Sequence, residues 1–174
     1  MYRQRDLIIG GACNDSANGG GGDDIIRGGA GNDVLEGHNN NDMLFGGSGD
    51  DSLEGDVGSD SIFGGIGADS IDGGQSQDPI YGGDEDDSSF GSDVNDYIEG
   101  GTGDDSIKGG QGQDTMYGGA GGDDGDTDVL DLSAYFEADL DTQITYEDGV
   151  EGDEDGVILL SSSSGQQYGR ITYS

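Results

Sequence analysis

Residues 100–117 read GGTGDDSIKGGQGQDTMY and contain two copies of one nine-residue unit. The same unit recurs upstream as GGAGNDVLE from Gly28 and as GGSGDDSLE from Gly46. Laid out in nines from Gly10, the chain gives thirteen units without an insertion or deletion, ending at residue 126. Self-similarity at a fixed short period predicts a solenoid built from stacked turns.

Three positions of the unit carry the pattern. Position one is glycine and position six is aspartate in all thirteen units, and position eight is Ile, Leu or Met in ten of them. The exceptions at position eight are Ala17, Ser89 and Gly125. Glycines at positions one, two and four permit the left-handed backbone angles of a tight turn and leave carbonyls uncovered for a ligand. Positions seven to nine predict a short strand whose middle residue points inward.

One inward apolar residue in nine cannot bury itself, so the units must stack to form a continuous apolar rod. Two turn-and-strand units close one coil, and the chain therefore returns to the same side every eighteen residues. At that stride the position-six aspartates form two columns. Adjacent coils lie ~4.8 Å apart, and two carboxylates at that separation repel by ~0.9 kcal/mol in water and by ~3–4 kcal/mol at an effective dielectric constant of ~20. A bridging cation is expected to remove this repulsion, and the chain is expected to unfold without it.

The composition agrees with a fold that lacks an ordinary core. Of 174 residues, 29% are hydrophobic and 39 are glycine, and the formal net charge is −34. Such values usually indicate disorder, but the regular spacing of the apolar residues and acids argues for a cation-dependent fold. Nucleic acid and anionic membranes are excluded as partners because both require basic patches. The basic residues, which form no patch, are Arg3, Arg5, Arg27, Lys108 and Arg170.

The unit resembles GGxGxDxUx, the calcium-binding nonapeptide of the repeats-in-toxin (RTX) family, over about two-thirds of the chain. The resemblance implies an all-β fold, a right-handed parallel β-roll or β-helix solenoid, with Ca²⁺ held between turns on the same side of successive coils. In that family the position-six aspartates supply carboxylates and the turn carbonyls supply the remaining oxygens. An all-oxygen set of this kind suits Ca²⁺.

Carried onto this chain, the resemblance predicts carboxylate ligands in both columns and backbone ligands in the glycine turns. The first column holds Asp15, Asp33, Asp51, Asp69, Asp87, Asp105 and Asp123, and the second holds Asp6, Asp24, Asp42, Asp60, Asp78, Asp96 and Asp114. The predicted carbonyl ligands belong to Gly20, Gly22, Gly29, Gly31, Gly47, Gly49, Gly65, Gly67, Gly101, Gly103, Gly110 and Gly112. Each column has six intervals, and we expect about 8–12 bound calcium ions in all.

Some turns depart from the pattern. His38 and Asn40 replace glycines in one turn. The poorest stretch covers residues 82–99, where Glu85 and Val94 occupy position four. A β-branched valine is poorly suited to positive φ. Calcium sites built on these turns are expected to be empty or loosely bound.

The periodic pattern ends at Thr127. The segments DVLDLSAYF, DTQITYEDG, GVILLSS and GRITYS predict short strands, joined in part by an acidic loop at residues 147–156. We therefore expect a roll at residues 1–126, made of a partial repeat at 1–9 and thirteen nonapeptides at 10–126. A β-rich segment at 127–174, truncated at its end, is expected to cap the last coil, since the ends of solenoids need covering.

The predicted function is that of a calcium-binding structural module of a secreted, extracellular or cell-surface bacterial protein, which folds on calcium after type I export and stabilises or presents attached domains. Catalysis is not expected, because nearly every acid belongs to the repeat and the single histidine, His38, lies in a turn. Two parent proteins stay open. One is a secreted enzyme of the alginate-epimerase, lipase or metalloprotease type, and the other is an adhesin or surface-layer protein.

The outward strand positions predict a second functional surface. The aromatic residues fall mainly on one sheet, whereas serine and acidic residues dominate the other. A contiguous apolar patch on so acidic a chain favours contact with a neighbouring domain, a second copy or a polysaccharide, although strand propensity also explains exposed aromatics. The predicted contact residues are Met43, Phe45, Phe63, Tyr81, Tyr97 and Tyr117.

Overall fold

The computed structural model describes residues 4–119, 128–131, 157–161 and 167–172. Every regular element among these residues is a β-strand, so no helical membrane span is found within them. Parallel strands form a β-solenoid of about six turns. The all-β parallel roll expected from the sequence is therefore confirmed.

Two seven-stranded parallel sheets make up the solenoid. The first sheet consists, in spatial order, of β1 (Leu7–Gly11), β3 (Ile25–Ala30), β5 (Met43–Ser48), β7 (Ser61–Ile66), β9 (Pro79–Asp84), β11 (Tyr97–Thr102) and β13 (Thr115–Tyr117). The second sheet consists of β2 (Ser16–Gly21), β4 (Val34–Asn39), β6 (Ser52–Val57), β8 (Ser70–Gln75), β10 (Ser88–Asp93), β12 (Ser106–Gln111) and β14 (Val129–Asp131).

The strand register confirms the stride of eighteen residues. Ile26 lies opposite Leu44, and Leu44 lies opposite Ile62 in the next coil of the first sheet. Leu35 and Leu53 are paired in the same way in the second sheet. Because the offset is constant, equivalent positions of the repeat lie directly above one another along the roll.

The strands extend further than the sequence predicted. Most of them contain six residues and cover positions seven to nine of one unit and one to three of the next, as in β3 and β5. The ladder passes over position one and resumes at position two, where Gly29 pairs with Gly47 and Gly47 with Gly65. Position one then faces inward and position two faces outward, which leaves only positions four to six for the turn.

Position eight forms the apolar core. Each of its Ile and Leu residues from Ile26 to Ile107 is at most 3% exposed, and together they build one cluster running the length of the roll. Ser89 interrupts it. Its side chain is 2% exposed, its Oγ has no hydrogen-bond partner among the described residues, and it lies between Ile71 and Ile107 of the adjacent coils.

We expect Ser89→Ile to stabilise the roll. From Leu35 to Ile107, every other position-eight residue of the second sheet is Ile or Leu. Isoleucine at position 89 would therefore fill the gap in the core and remove an unsatisfied hydroxyl. The expected gain is about 2 kcal/mol. A calcium-saturated thermal melt would measure it as a rise in Tm. Ser88→Ile, at the exposed neighbouring position, is the matched control and should leave Tm nearly unchanged, so an equal shift in both variants would contradict the interpretation.

The last strand of the second sheet comes from outside the uninterrupted repeat. Val129 of β14 pairs with Ser106 of β12, an offset of 23 residues, and Leu130 takes the core position opposite Ile107. The thirteenth unit offers only Gly125 for that position. The chain therefore reaches five residues further to bring a leucine into the rod.

Beyond the roll, β15 (Val157–Ser161) and β16 (Gln167–Thr172) pair as an antiparallel hairpin. β15 lies within the predicted strand GVILLSS, whereas β16 overlaps the predicted strand GRITYS and begins two residues before it. The predicted strand in DTQITYEDG and the acidic loop at 147–156 lie outside the described residues. The capping role of this segment stays a prediction.

Candidate metal centre

The turns lie in two rows, one along each long edge of the roll. The first edge consists of the turns that lead from the first sheet to the second, and the second edge consists of those that lead back. Within the described residues, the first edge carries Asp15, Asp33, Asp51, Asp69, Asp87 and Asp105, and the second carries Asp6, Asp24, Asp42, Asp60, Asp78, Asp96 and Asp114. The structure thus separates the two predicted columns by the width of a sheet.

The position-six aspartates are linked from coil to coil by one repeated hydrogen bond. The backbone N–H of Asp33 donates to Oδ1 of Asp51 at 2.7 Å, and that of Asp42 donates to Oδ1 of Asp60 at 2.7 Å. The same bond recurs on both edges at 2.7–2.9 Å up to Asp114. One oxygen of each such carboxylate is therefore held in place by the preceding coil.

The other carboxylate oxygen is buried without a partner. Among the described residues, Oδ2 has no hydrogen-bond partner in Asp24, Asp33, Asp42, Asp51, Asp60, Asp69, Asp78, Asp87 and Asp96. None of these residues is more than 4% exposed. An ionised carboxylate in this position is costly unless a cation compensates its charge. The repetition of the same unsatisfied atom in coil after coil points to a ligand that the protein chain does not supply.

Position-one glycines create the space around this oxygen. A Cβ added to Gly10 would lie 2.5 Å from Oδ2 of Asp15 and 2.6 Å from the carbonyl oxygen of Gly28 in the next coil. Contacts of the same kind, all within 3 Å of the carboxylate, recur at every position-one glycine up to Gly109. Position one must be glycine because any side chain would point inward and fill this oxygen-lined space.

Burial raises the pKa of the position-six carboxyls from Asp42 to Asp96, since it disfavours the charged form, while the hydrogen bond from the preceding coil acts against it. The pKa is raised to about 7 for Asp60, Asp78, Asp87 and Asp96, and to about 6 for Asp42 and Asp69. In the absence of a bound cation, the coiled chain at neutral pH therefore carries strongly destabilised carboxylates.

The glycines predicted as backbone ligands, at positions two and four, all have positive φ. The described position-one glycines, for which the same backbone angles were expected, do not, because the chain is extended there. Their carbonyls point along the roll axis: a Cβ added to Gly49 would lie 2.6 Å from the carbonyl oxygen of Gly31, one coil earlier. A further carbonyl, that of position one in the following coil, borders the same space as the buried carboxylate: a Cβ added to Gly46 would lie within 3 Å of both Oδ2 of Asp51 and the carbonyl oxygen of Gly64. Sequence reasoning did not include it, because the continuation of the strand through position one was not visible in the pattern.

Position five carries a second ladder that the sequence analysis missed. The backbone N–H of Asn32 donates to Oδ1 of Asn14 at 3.0 Å, and that of Asp104 donates to Oδ1 of Asp86 at 2.9 Å. The bonds run in the opposite direction along the roll from those at position six. The signal was present in the sequence, since Asn or Asp occupies position five in eight of the thirteen units.

The donor set fits calcium. In the portions of the chain that the structure describes, no three His, Cys, Asp or Glu side chains converge into a metal cluster, so a bound ion must also take backbone oxygens. Carboxylate and carbonyl oxygens without nitrogen or sulfur are the ligands of a hard cation such as Ca²⁺. Asp123 lies outside the described residues, and Asp128 takes the equivalent place, accepting the N–H of Asp105 at 3.0 Å.

The predicted contact residues lie together on the first sheet. Phe45 stacks on Phe63, and Phe63 on Tyr81, each pair with ring centroids 5.0 Å apart and nearly parallel planes. Tyr97 continues the row between Tyr81 and Tyr117 at 5.8 and 5.5 Å. We call this row, with Met43 at its start, the aromatic stripe. The ring faces of Phe45, Phe63 and Tyr81 contact one another, whereas the ring plane of Tyr97 is tilted by 49° from those of Tyr81 and Tyr117.

Comparison with known proteins gives one match. A family model described as the RTX calcium-binding nonapeptide repeat matches four segments, at residues 3–26, 18–53, 54–88 and 90–124. Neither the curated proteins nor the solved structures include a match to the chain.

Proposed function

Because the chain belongs to the RTX calcium-binding nonapeptide repeat family, whose β-roll is a calcium-binding structural module, we propose that this roll folds only when calcium binds and that it does so after export from the cell. The observation that carries the proposal is the row of buried Asp Oδ2 atoms without a partner, such as those of Asp33 and Asp60. A chain that had evolved to fold alone would have paired or replaced them.

The residues of the chain have distinct tasks in this proposal. Oδ1 of each position-six aspartate accepts a backbone N–H and thereby fixes the carboxylate, as Asp51 does for Asp33. Oδ2 and the turn carbonyls are left to coordinate. When bound, calcium supplies positive charge and six or more coordination positions for these oxygens. We expect about 8–12 ions if most intervals between coils on both edges are used.

The calcium requirement would couple folding of the roll to its export from the cell. Extracellular calcium-binding modules typically have dissociation constants of about 10⁻⁴–10⁻³ M, so the chain would stay unfolded at the much lower calcium level of the cytosol and fold outside. We propose type I secretion as the route, because the resemblance to the RTX family implies export of the unfolded chain in this way. A roll at residues 1–126 with a capping segment at 127–174 would then stabilise or present whatever is attached to it.

Two kinds of parent protein fit such a module. In one, the roll is a non-catalytic part of a secreted enzyme of the alginate-epimerase, lipase or metalloprotease type. In the other, it rigidifies a segment of an adhesin or surface-layer protein. We propose no catalytic role for the roll itself, since the repeats account for nearly all its acids.

The aromatic stripe is our proposed contact surface. Its ring faces are engaged with one another, which favours a flat apolar surface of a neighbouring domain or a second copy over a sugar ring that needs an exposed aromatic face. A roll that is strictly monomeric and binds neither its parent domains nor polysaccharide would leave the stripe with a structural role only.

Calcium titration followed by circular dichroism tests the proposed function. In excess chelator at neutral pH we expect an unfolded spectrum, and on addition of calcium chloride a cooperative gain of β-structure. Magnesium chloride at the same concentration is the control and should have little effect, because Mg²⁺ demands stricter octahedral geometry and dehydrates reluctantly. A chain already β-structured in chelator would contradict calcium-dependent folding.

A further inference from the structure

The two edges of the roll differ in the residues that form their turns. On the first edge, every described position-two residue is glycine. On the second edge, His38, Asp56 and Ser92 replace position-two glycines, and Asn40, Ser76 and Val94 replace position-four glycines. Of the seven described non-glycine residues with positive φ, all but Glu85 are on the second edge. Departures from the repeat are therefore concentrated on one side of the fold.

The backbone differs accordingly. Eleven described glycines at positions two and four of the first edge have φ between 115° and 133°, a range that side-chain-bearing residues rarely adopt. The two other described residues at these positions differ: Glu85 has a φ of 80°, and Cys13 does not have positive φ. On the second edge the same positions range from 66° at Val94 to 152° at Gly58. Rotation about φ turns the carbonyl that follows, so the second edge does not repeat one carbonyl arrangement from coil to coil. A column of identical metal sites requires that repetition.

At position two, the second edge carries side chains that form hydrogen bonds, whereas the first edge has glycine in every described turn. Nδ1 of His38 lies 2.6 Å from Oδ2 of Asp56, and Oγ of Ser92 donates to Oδ1 of Asp72 at 2.7 Å. Nδ2 of Asn39 donates to the carbonyl oxygen of Gly20 at 3.3 Å, an oxygen predicted to be a calcium ligand. The second edge thus has side-chain hydrogen bonds at position two, where the described residues of the first edge are all glycine.

Charge separates the edges in the same direction. Positions three to five of the first edge contribute Asp50, Asp84, Glu85, Asp86 and Asp104, whereas those of the second edge contribute only Asp23 and Asp93 among the described residues. Calcium affinity rises with the number of charged ligands and with the rigidity of the site. The larger number of acidic side chains in the first-edge turns, and the narrower range of φ among their glycines, therefore favour tighter binding along that edge.

We propose, on the basis of the calcium-binding function proposed above, that the roll has two classes of calcium site: a tight class along the first edge, whose glycine pattern is broken in the described turns only at Cys13 and Glu85, and a weaker class along the second. The first edge fills first and establishes the coils. The second edge fills at higher calcium and only consolidates them. The six described aspartates of the first edge, with Asp128 continuing the column, predict about six tight ions.

Calorimetric titration of the full chain with calcium chloride tests this with a matched pair of variants. Asp51 and Asp60 lie in adjacent turns on opposite edges, are both buried, and accept the same 2.7 Å bond. For the unaltered chain we expect two phases whose midpoints differ by at least about tenfold. Asp51→Asn should reduce the number of tight ions, whereas Asp60→Asn should reduce only the weak phase.

A gain-of-function variant keeps the test independent of misfolding. Ser92→Gly combined with Val94→Gly restores the glycine pattern in the poorest second-edge turn and should move ions from the weak phase to the tight one. A single binding phase, equal effects of Asp51→Asn and Asp60→Asn, or no tight ions gained by the double glycine variant would each overturn the two-class proposal while leaving calcium binding intact. Absence of any calcium binding would instead overturn the proposed function and this inference together.

Discussion

At about pH 4 in excess chelator, the calcium-free chain is expected to regain the β-structure that it lacks at neutral pH. Asp60, Asp78, Asp87 and Asp96 ionise at an ordinary pKa of 3.8 when exposed, whereas burial in the coiled chain raises their pKa to about 7. Protonation of these carboxyls therefore favours the folded chain. The stability that it adds is complete below about pH 3.8, falls as the pH rises and is gone above about pH 7.

The expected effect is large because the same penalty recurs at successive position-six carboxyls from Asp42 to Asp96. One unit of pKa difference corresponds to about 1.4 kcal/mol, and the whole stability of a domain is only about 5–15 kcal/mol. Protonation thus removes the charge that calcium would otherwise neutralise. Far-ultraviolet circular dichroism across this pH range measures the transition. Sedimentation at each pH must accompany it, because the sequence isoelectric point of about 4.1 favours association there.

A triple variant supplies the control. Asp60→Asn, Asp78→Asn and Asp96→Asn together keep a side-chain oxygen for the coil-to-coil hydrogen bond but carry no charge at any pH. The calcium-free variant should hold its β-structure to higher pH than the unaltered chain. A calcium-free chain that stays unstructured at pH 4, or a variant with the same transition as the unaltered chain, would show that carboxylate burial is not what opposes folding.

Gly64→Ala is expected to raise the calcium midpoint of folding, because overpacking costs about 1–3 kcal/mol and more calcium is then needed to reach the same stability. Gly64 does not have positive φ, so alanine imposes no backbone strain there. The added methyl would instead lie within 3 Å of both Oδ2 of Asp69 and the carbonyl oxygen of Gly82. It would occupy the oxygen-lined space on the first edge in which we place a calcium ion.

Gly21→Ala is the matched control, since Gly21 also lacks positive φ and an added Cβ there would meet no atom within 4 Å. Its calcium midpoint should stay close to that of the unaltered chain. If both alanine variants shifted the midpoint equally, the effect would come from the loss of glycine in general and not from the filled site.

The period of nine by itself determined the fold class, the stride of eighteen and the identity of the core. Leu44 and Ile62 recur at position eight, and only stacking in register buries one apolar residue in nine, so no competing arrangement satisfied the pattern. The aspartate columns followed from the same arithmetic. Sequence also showed that the aromatics favour one sheet, and the stacking of Phe45 on Phe63 is a direct consequence of their eighteen-residue separation.

Only the tertiary structure decided how each carboxylate is used. Oδ1 of Asp51 accepts a hydrogen bond from the backbone N–H of Asp33, eighteen residues earlier, while Oδ2 is buried beside Gly46 without a partner. This division between the two oxygens depends on the direction in which the backbone N–H groups of adjacent coils point, which no residue pattern encodes. Leu130 replaces Gly125 in the rod for a similar reason. The last coil is closed by whichever nearby apolar residue reaches the core, and that choice depends on packing in three dimensions and not on the period of the sequence.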